Sequence, residues 1–229
     1  LAQSLNRMAS RLRQDNLELQ RLYEKQSQFF EDITHELRNP LHTIAGALEM
    51  LQIESLPKDQ RSHYVQTAVK QTERINRLFK DLVTLQRYDS DTHFIEARVF
   101  NLGAVMLQAS EPYVSVAREK GIRLEVEAEA YRVMGDPNKI EQVLDNLVSN
   151  AVKYTNRGQI HIVSHRDGDG VRVEVSDTGI GISPEHLERL FDRFYRTDKA
   201  RSRDKGGTGL GLAVVRSILV AHNTDIEVK

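Results

Sequence analysis

His35 lies in the run Phe29-Phe30-Glu31-Asp32-Ile33-Thr34-His35-Glu36-Leu37-Arg38-Asn39-Pro40-Leu41. Ile33, Leu37, Leu41, Ile44, Leu48 and Leu51 recur at spacings of three and four, which makes one apolar seam along a helix. His35 is two residues from both Ile33 and Leu37, so it is turned roughly 200° from that seam. An imidazole held on the wet side of a rigid helix is a nucleophile near neutral pH. A surface histidine on a helix is also common without any chemistry attached.

Three later segments carry residues suited to a nucleotide. Asn146 and Asn150 are four apart and share a helix face, with Lys153 beside Asn150. Amide oxygens can ligate Mg²⁺, and a lysine ammonium can contact phosphate. The bland alternative is ordinary polar surface. Asp177-Thr178-Gly179-Ile180-Gly181-Ile182 follows a strand pattern. Its glycines permit a tight turn and close backbone approach, and its aspartate can accept from an exocyclic amine such as that of adenine.

Gly206-Gly207-Thr208-Gly209-Leu210-Gly211-Leu212 opens a helix, where free N–H groups favour phosphate. It is not a phosphate loop of the Lys-Ser/Thr type, since no lysine follows the glycines, and it lacks the dinucleotide spacing. Before it, Lys199, Arg201, Arg203 and Lys205 alternate along a loop. They read either as a basic lid over a polyphosphate or as a solvated charge run.

These residues need elements to hold them. Residues 1–53 read as one long helix with Pro40 inside it. Leu1, Leu5, Met8, Leu12, Asp15, Leu19, Leu22, Gln26, Phe29 and Ile33 step by four and three, a coiled-coil heptad in which Asp15 and Gln26 can fix register. Pro40 frees the carbonyl of Glu36, so a local bend beside His35 is expected. Leu56-Pro57-Lys58-Asp59 reads as a turn. A second helix follows with Val65, Ala68, Thr72, Ile75, Leu78, Leu82 and Leu85 as its inner face. Two antiparallel helices cannot bury both faces alone, and pairing two copies gives a four-helix bundle, hence a homodimer.

Residues 89–94 are polar and read as a hinge, after which the pattern becomes mixed α/β. A strand is expected within Phe94–Leu102 and a helix over Leu102–Lys120. Strands follow at Ile122–Ala128, Gln159–His165 and Val171–Ser176, the last two joined by the hairpin signal Asp167-Gly168-Asp169-Gly170. Pro137–Tyr154 reads as a helix N-capped by Asp136, and Leu210–Ala221 as another. Asp225–Val228 is expected to begin a last strand.

The composition excludes several classes. The 229 residues are 39% hydrophobic and 28% charged with net charge −1, so bulk charge argues for neither nucleic acid nor anionic membrane. With no cysteine there is no disulfide and no thiolate chemistry. The apolar stretch Leu212–Ala221 is too short to span a bilayer and is broken by Arg216. His161 and His165 share a strand face without a third ligand nearby in sequence. Leu1 in mid-helix pattern and Lys229 in mid-strand pattern make the chain read as part of something longer.

Taken in order, these pieces resemble the kinase core of a sensor histidine kinase of two-component signalling. The run around His35 resembles the H box, residues 136–155 the N box, and Asp177–Ile182 the first glycine box. Phe191-Asp192-Arg193-Phe194-Tyr195-Arg196 resembles the F box and Gly206–Leu212 the second glycine box. Leu1–Leu12, with Leu5-Asn6-Arg7-Met8-Ala9, resembles the end of a HAMP relay module, which sits just inside a membrane. The resemblance implies a HAMP end and signalling coiled coil over 1–26 and a dimerisation and phosphotransfer domain over 27–90. A Bergerat-type α/β sandwich binding ATP would follow over 95–229. The chain would then be the cytoplasmic part of a membrane sensor.

By that resemblance, His35 would attack the γ-phosphoryl of ATP and pass it to an aspartate of a response regulator. Glu36 would orient or deprotonate the imidazole, although adjacent helix residues do not face each other. Asn39, one turn beyond His35, would position water for dephosphorylating the regulator. Asn150 would hold Mg²⁺, with Asn146 close to the phosphates. Lys153 and Arg196 would touch phosphate, and Tyr154 would line the nucleotide. Asp177 would read the adenine amine, while Gly179, Gly181, Gly207, Thr208, Gly209, Leu210 and Gly211 would bring backbone close to the ligand. Related gyrase-type ATPases carry a glutamate general base where this chain has Asn146, so rapid hydrolysis to free phosphate is not expected. The family's usual His-Gly-Gly after the last helix is here His222-Asn223-Thr224. Rival readings are a scaffold that binds nucleotide without transferring phosphate and a pure coiled-coil interaction protein, which the region after residue 100 contradicts.

Overall fold

The computed structural model describes residues 2–89, 95–197 and 207–229. Leu1, the core of the expected hinge at 90–94 and the basic run carrying Lys199, Arg201, Arg203, Lys205 and Gly206 lie outside the described residues. The chain falls into two compact units, Leu1–Arg77 and Leu78–Lys229.

The first unit is built on α1, Ala2–Leu51, and most of α2, Lys58–Asp89. Helix α1 remains continuous through Pro40. Proline costs one hydrogen bond there, but Pro40 itself is buried, so packing offsets the loss. The expected seam divides into two faces. Ile33, Leu37, Ile44 and Leu51 are half-buried and Ala47 is buried, whereas Leu41 and Leu48 stay more than half exposed. On α2, Leu78 and Leu85 are buried, Ala68, Ile75 and Leu82 half-buried, and Val65 and Thr72 exposed. Thr72 turns its hydroxyl back onto the Ala68 carbonyl at 2.9 Å. Between the helices the Arg61 guanidinium donates to the carbonyls of Leu51 (3.2 Å) and Ile53 (3.3 Å), groups that a helix C-terminus leaves without partners.

The second unit also holds the C-terminal end of α2. Strands β1 (Arg98–Asn101) and β3 (Arg132–Gly135) pair antiparallel. Strands β2 (Ile122–Glu127), β4 (Gly158–Asp167) and β5 (Gly170–Asp177) form a three-stranded sheet in the order β2-β4-β5, β2 parallel and β5 antiparallel to β4. Helices α3 (Leu102–Glu119) and α4 (Pro137–Tyr154) supply the other layer. Met106, Leu144, Val148, Ile160 and Ile162 form the heart of the shared core. Every second residue of β4 is buried, Ile160, Ile162 and Ser164, because a strand turns alternate side chains to one face. A short α5 (Pro184–Leu187) and then α6 (Gly211–Ala221) complete the described elements.

Two elements escaped the sequence patterns and one expected element is absent. Strand β3 has only four residues, too few to show alternation, and α5 is a single turn. Asp225–Val228 does not form a strand. Helix α6 instead ends in a closed cap: Asn223 adopts φ 52°, its N–H donates to Val220 O (3.0 Å), and the Thr224 N–H donates to Leu219 O (3.0 Å). Asparagine tolerates that left-handed conformation almost as glycine does, which accounts for Asn223 at the position where the resemblance led one to expect glycine. Among the described residues no helix is long and apolar enough to cross a membrane.

Candidate functional site

In the first unit, His35 and Asn39 are exposed on the same face of α1, one turn apart. Thr34 and Thr43 fold their hydroxyls onto the carbonyls of Phe30 (2.8 Å) and Asn39 (3.1 Å), which leaves the surface around His35 uncluttered. Glu36 does not turn toward His35. Its Oε2 accepts from the Arg74 guanidinium of α2 at 2.7 Å, and both side chains are about one-fifth exposed.

In the second unit the organiser is α4. Asp136 caps it by accepting from the N–H groups of Asn138 (3.0 Å) and Lys139 (3.2 Å), and Pro137 opens it without wasting a donor. Because Val143, Leu144, Val148, Ala151 and Val152 face the core, Asn146, Asn150 and Lys153 fall along the flank and are half-buried. Asn146 Nδ2 donates to Gln142 O (2.9 Å), which turns its Oδ1 toward Gly211. The Lys153 ammonium sits against Gly207 and 4.9 Å from the Tyr154 ring centroid. Burial pushes the Tyr154 phenol above its ordinary range, with the nearby Arg196 charge acting in the opposite direction.

The turn after β5 packs on the other end of α4. Asp177 Oδ1 accepts from the Gly179 N–H (2.8 Å) and from the Thr155 hydroxyl (3.4 Å), and the Ile180 N–H reaches Tyr154 O (3.4 Å). A β-carbon at Gly179 would stand 2.6 Å from Asp177 Oδ1 and 2.7 Å from Tyr154 O, so no side chain fits. Gly181 takes φ 67°, which only glycine adopts cheaply. Beside this turn an open pocket of about 370 Å³ is lined by Tyr154, Asn156, Arg157, Thr178, Gly179 and Ile180.

The glycine segment before α6 closes the arrangement. Thr208 Oγ1 accepts from the Leu210 N–H (3.3 Å), and Leu210 is fully buried, an anchor for the start of the helix. The Phe194 N–H donates to Gly209 O at 2.9 Å. Thus Asn146, Lys153, Tyr154, Asp177, Gly179, Gly207 and Gly211 converge through direct contacts around α4, as the sequence led one to expect. His35, Glu36 and Asn39 belong to the first unit.

The donor set fits a magnesium–nucleotide complex. Amide oxygens at Asn146 and Asn150, an ammonium at Lys153 and a carboxylate at Asp177 surround backbone that three glycines keep bare, and the Asn150 amide makes no hydrogen bond with the described residues. Thr155, fully buried, was missed by sequence reasoning. Its only signal was a hydroxyl directly after the last helical residue of a candidate site. His222 was read as bland. Its Nε2 accepts from the Asp136 N–H (3.0 Å) and its Nδ1 donates to Ile218 O (2.8 Å), tying α6 to the cap of α4.

Comparison with known proteins agrees with this geometry. Residues 25–91 match the family of the His Kinase A (phospho-acceptor) domain. Residues 135–229 match the family of histidine kinase-, DNA gyrase B- and HSP90-like ATPases. The sensor histidine kinase CusS of Escherichia coli K12 is 33% identical over 208 residues, 90% of this chain and 43% of CusS. The chain thus spans under half the length of that relative. The structure resembles full-length ShkA in complex with AMPPNP (TM-score 0.62, 28% identity, 83% of this chain and 40% of that one). It also resembles histidine kinase ThkA in complex with the response regulator TrrA (TM-score 0.61, 28% identity, 74% and 51%). With an acceptor domain followed by an ATPase-type domain in one chain, the protein belongs to the sensor histidine kinase family.

Proposed function

We propose that this chain autophosphorylates His35 from ATP and passes the phosphoryl group to an aspartate of a response regulator. The observation that carries it is the convergence of the α4 amides, the Asp177 turn and the Gly207–Gly211 segment in a chain that also presents an exposed His35. A relative solved with AMPPNP and another solved with a response regulator support the reading. His35 Nε2 attacks the γ-phosphorus, the bond to the β–γ bridging oxygen breaks, ADP leaves, and the imidazole proton passes to Glu36. Asp177 keeps one carboxylate oxygen for the adenine amine while Oδ1 is engaged by Gly179 and Thr155. Lys153 and Arg196 neutralise phosphate charge, and Tyr154 lines the base. Asn150 holds Mg²⁺, whose charge offsets that of the triphosphate when bound.

Asn39 positions a water that removes phosphate from the regulator. The chain works as a homodimer, with residues 1–26 relaying a signal into residues 27–90 and ATP bound by residues 95–229. Met8, Leu12, Leu19 and Leu22 are each more than half exposed, as are Leu41 and Leu48, and a second copy packed against both helices covers them. The test is incubation with γ-labelled ATP and Mg²⁺. Wild type acquires acid-labile, base-stable label and His35→Gln acquires none. Label that persists in the variant refutes the assignment.

A further inference from the structure

On a helix, residue i+1 is turned about 100° from residue i. His35 therefore faces solvent while Glu36 points at α2, where Arg74 holds it at 2.7 Å with both side chains about one-fifth exposed. Burying a carboxylate is costly unless a cation and hydrogen bonds compensate, and Arg74 supplies both. Only Oε2 of Glu36 is engaged, and Oε1 makes no hydrogen bond with the described residues. Arg74 Nε is buried without a partner, so the guanidinium is drawn into this interface chiefly by Glu36.

We propose that Arg74 is a positioning residue for phosphoryl transfer. It grips one oxygen of Glu36 so that the other is presented to the His35 imidazole proton. The inference rests on the functional reading above. The arrangement has the logic of a nucleophile, a base and a third group that orients the base, contributed here by a different helix. Glu36 accepts the proton released as the phosphorus–nitrogen bond forms, and the guanidinium stays charged throughout.

The test is the initial rate of His35 labelling against ATP concentration, in the intact chain, for wild type, Arg74→Met, Arg74→Lys, Glu36→Gln and the Arg74→Met/Glu36→Gln double variant. Arg74→Met slows labelling at saturating ATP by at least about tenfold with the half-saturating ATP concentration unchanged, and Arg74→Lys recovers part of the rate. In the Glu36→Gln background, Arg74→Met makes no further difference, because the group it acts through is gone. Equal multiplicative losses in both backgrounds, or an unchanged rate in Arg74→Met, overturn the inference while leaving His35 as the acceptor. A wild type that never labels overturns the functional reading and this inference with it. Helix content by circular dichroism identifies a variant that has failed to fold. Should Arg74→Met do so, Arg74→Gln replaces it in the same cycle under the same criteria.

Discussion

Gly209 and Phe194 lie back to back, each with positive φ (73° and 60°), and the Phe194 N–H donates to Gly209 O at 2.9 Å. A β-carbon at Gly209 would stand 2.8 Å from both Cα and C of Phe194, and backbone cannot step aside as a side chain can. Gly209→Ala therefore meets a conformational cost of about 1–2 kcal/mol and a steric one besides. The expected outcome is a melting temperature lower by several degrees and affinity for a non-hydrolysable ATP analogue reduced at least about tenfold, read by calorimetry. Unchanged affinity would show that this turn does not shape the site.

Asp177→Asn separates binding from folding. The amide oxygen can still accept from the Gly179 N–H and the Thr155 hydroxyl, so the turn survives. The other position becomes an N–H donor facing an amine donor. Affinity for ATP should fall about 10- to 100-fold with the melting temperature nearly unchanged, as expected when a buried acceptor is replaced by a donor. A parallel loss of stability would argue that the carboxylate is structural.

Asn39→Ala should spare autophosphorylation and weaken removal of phosphate from a regulator. Asn39 is exposed, and the one bond printed on it in α1, from Thr43, goes to its backbone carbonyl, so truncating the side chain leaves the helix intact. Rates of His35 labelling and of regulator dephosphorylation, measured on the same preparation, check this. Equal loss of both refutes the role.

Arg61→Ala removes the guanidinium that caps the carbonyls of Leu51 and Ile53. These are exposed bonds, so the loss should be about 1 kcal/mol, visible as a lower midpoint in denaturant for the helical unit. Arg61→Lys restores less than half, since an ammonium cannot fork across two carbonyls.

At high pH, Tyr154 should make stability fall. Burial raises its pKa above the ordinary value of 10.0, so the unfolded chain loses this proton first as pH climbs. Its contribution is whole below about pH 10 and declines above it. Tyr154→Phe should flatten that decline in thermal melts recorded between pH 8 and 11 (roughly the span over which a phenol ionises). An identical decline in the variant would locate the effect elsewhere.

Long periodic elements were legible from residues alone. The step of three and four from Leu12 to Ile33 foretold α1, and Asp136-Pro137 foretold where α4 begins. What periodicity does not carry is how one element meets another. The Glu36–Arg74 pair spans 38 positions and the His222–Asp136 bond 86, and neither residue has a local pattern that names its partner. The strand expected at Asp225–Val228 alternates correctly, yet alternation only permits pairing. With no neighbour among the described residues, the segment stays extended beside β5, with Glu227 reaching Arg172 at 3.3 Å. The glycines were the exception: the reason each must be small, bare backbone beside Asn146, Lys153 and Asp177, was what the sequence suggested.

The fifty residues of α1 run without a joint, a shaft about 75 Å long. Nothing along it can absorb torque, so the bearing of the His35 imidazole is geared to every residue that precedes it. Adding a single residue upstream would swing that bearing by about 100° relative to the shaft's far end, whereas adding seven would return it almost to its starting azimuth.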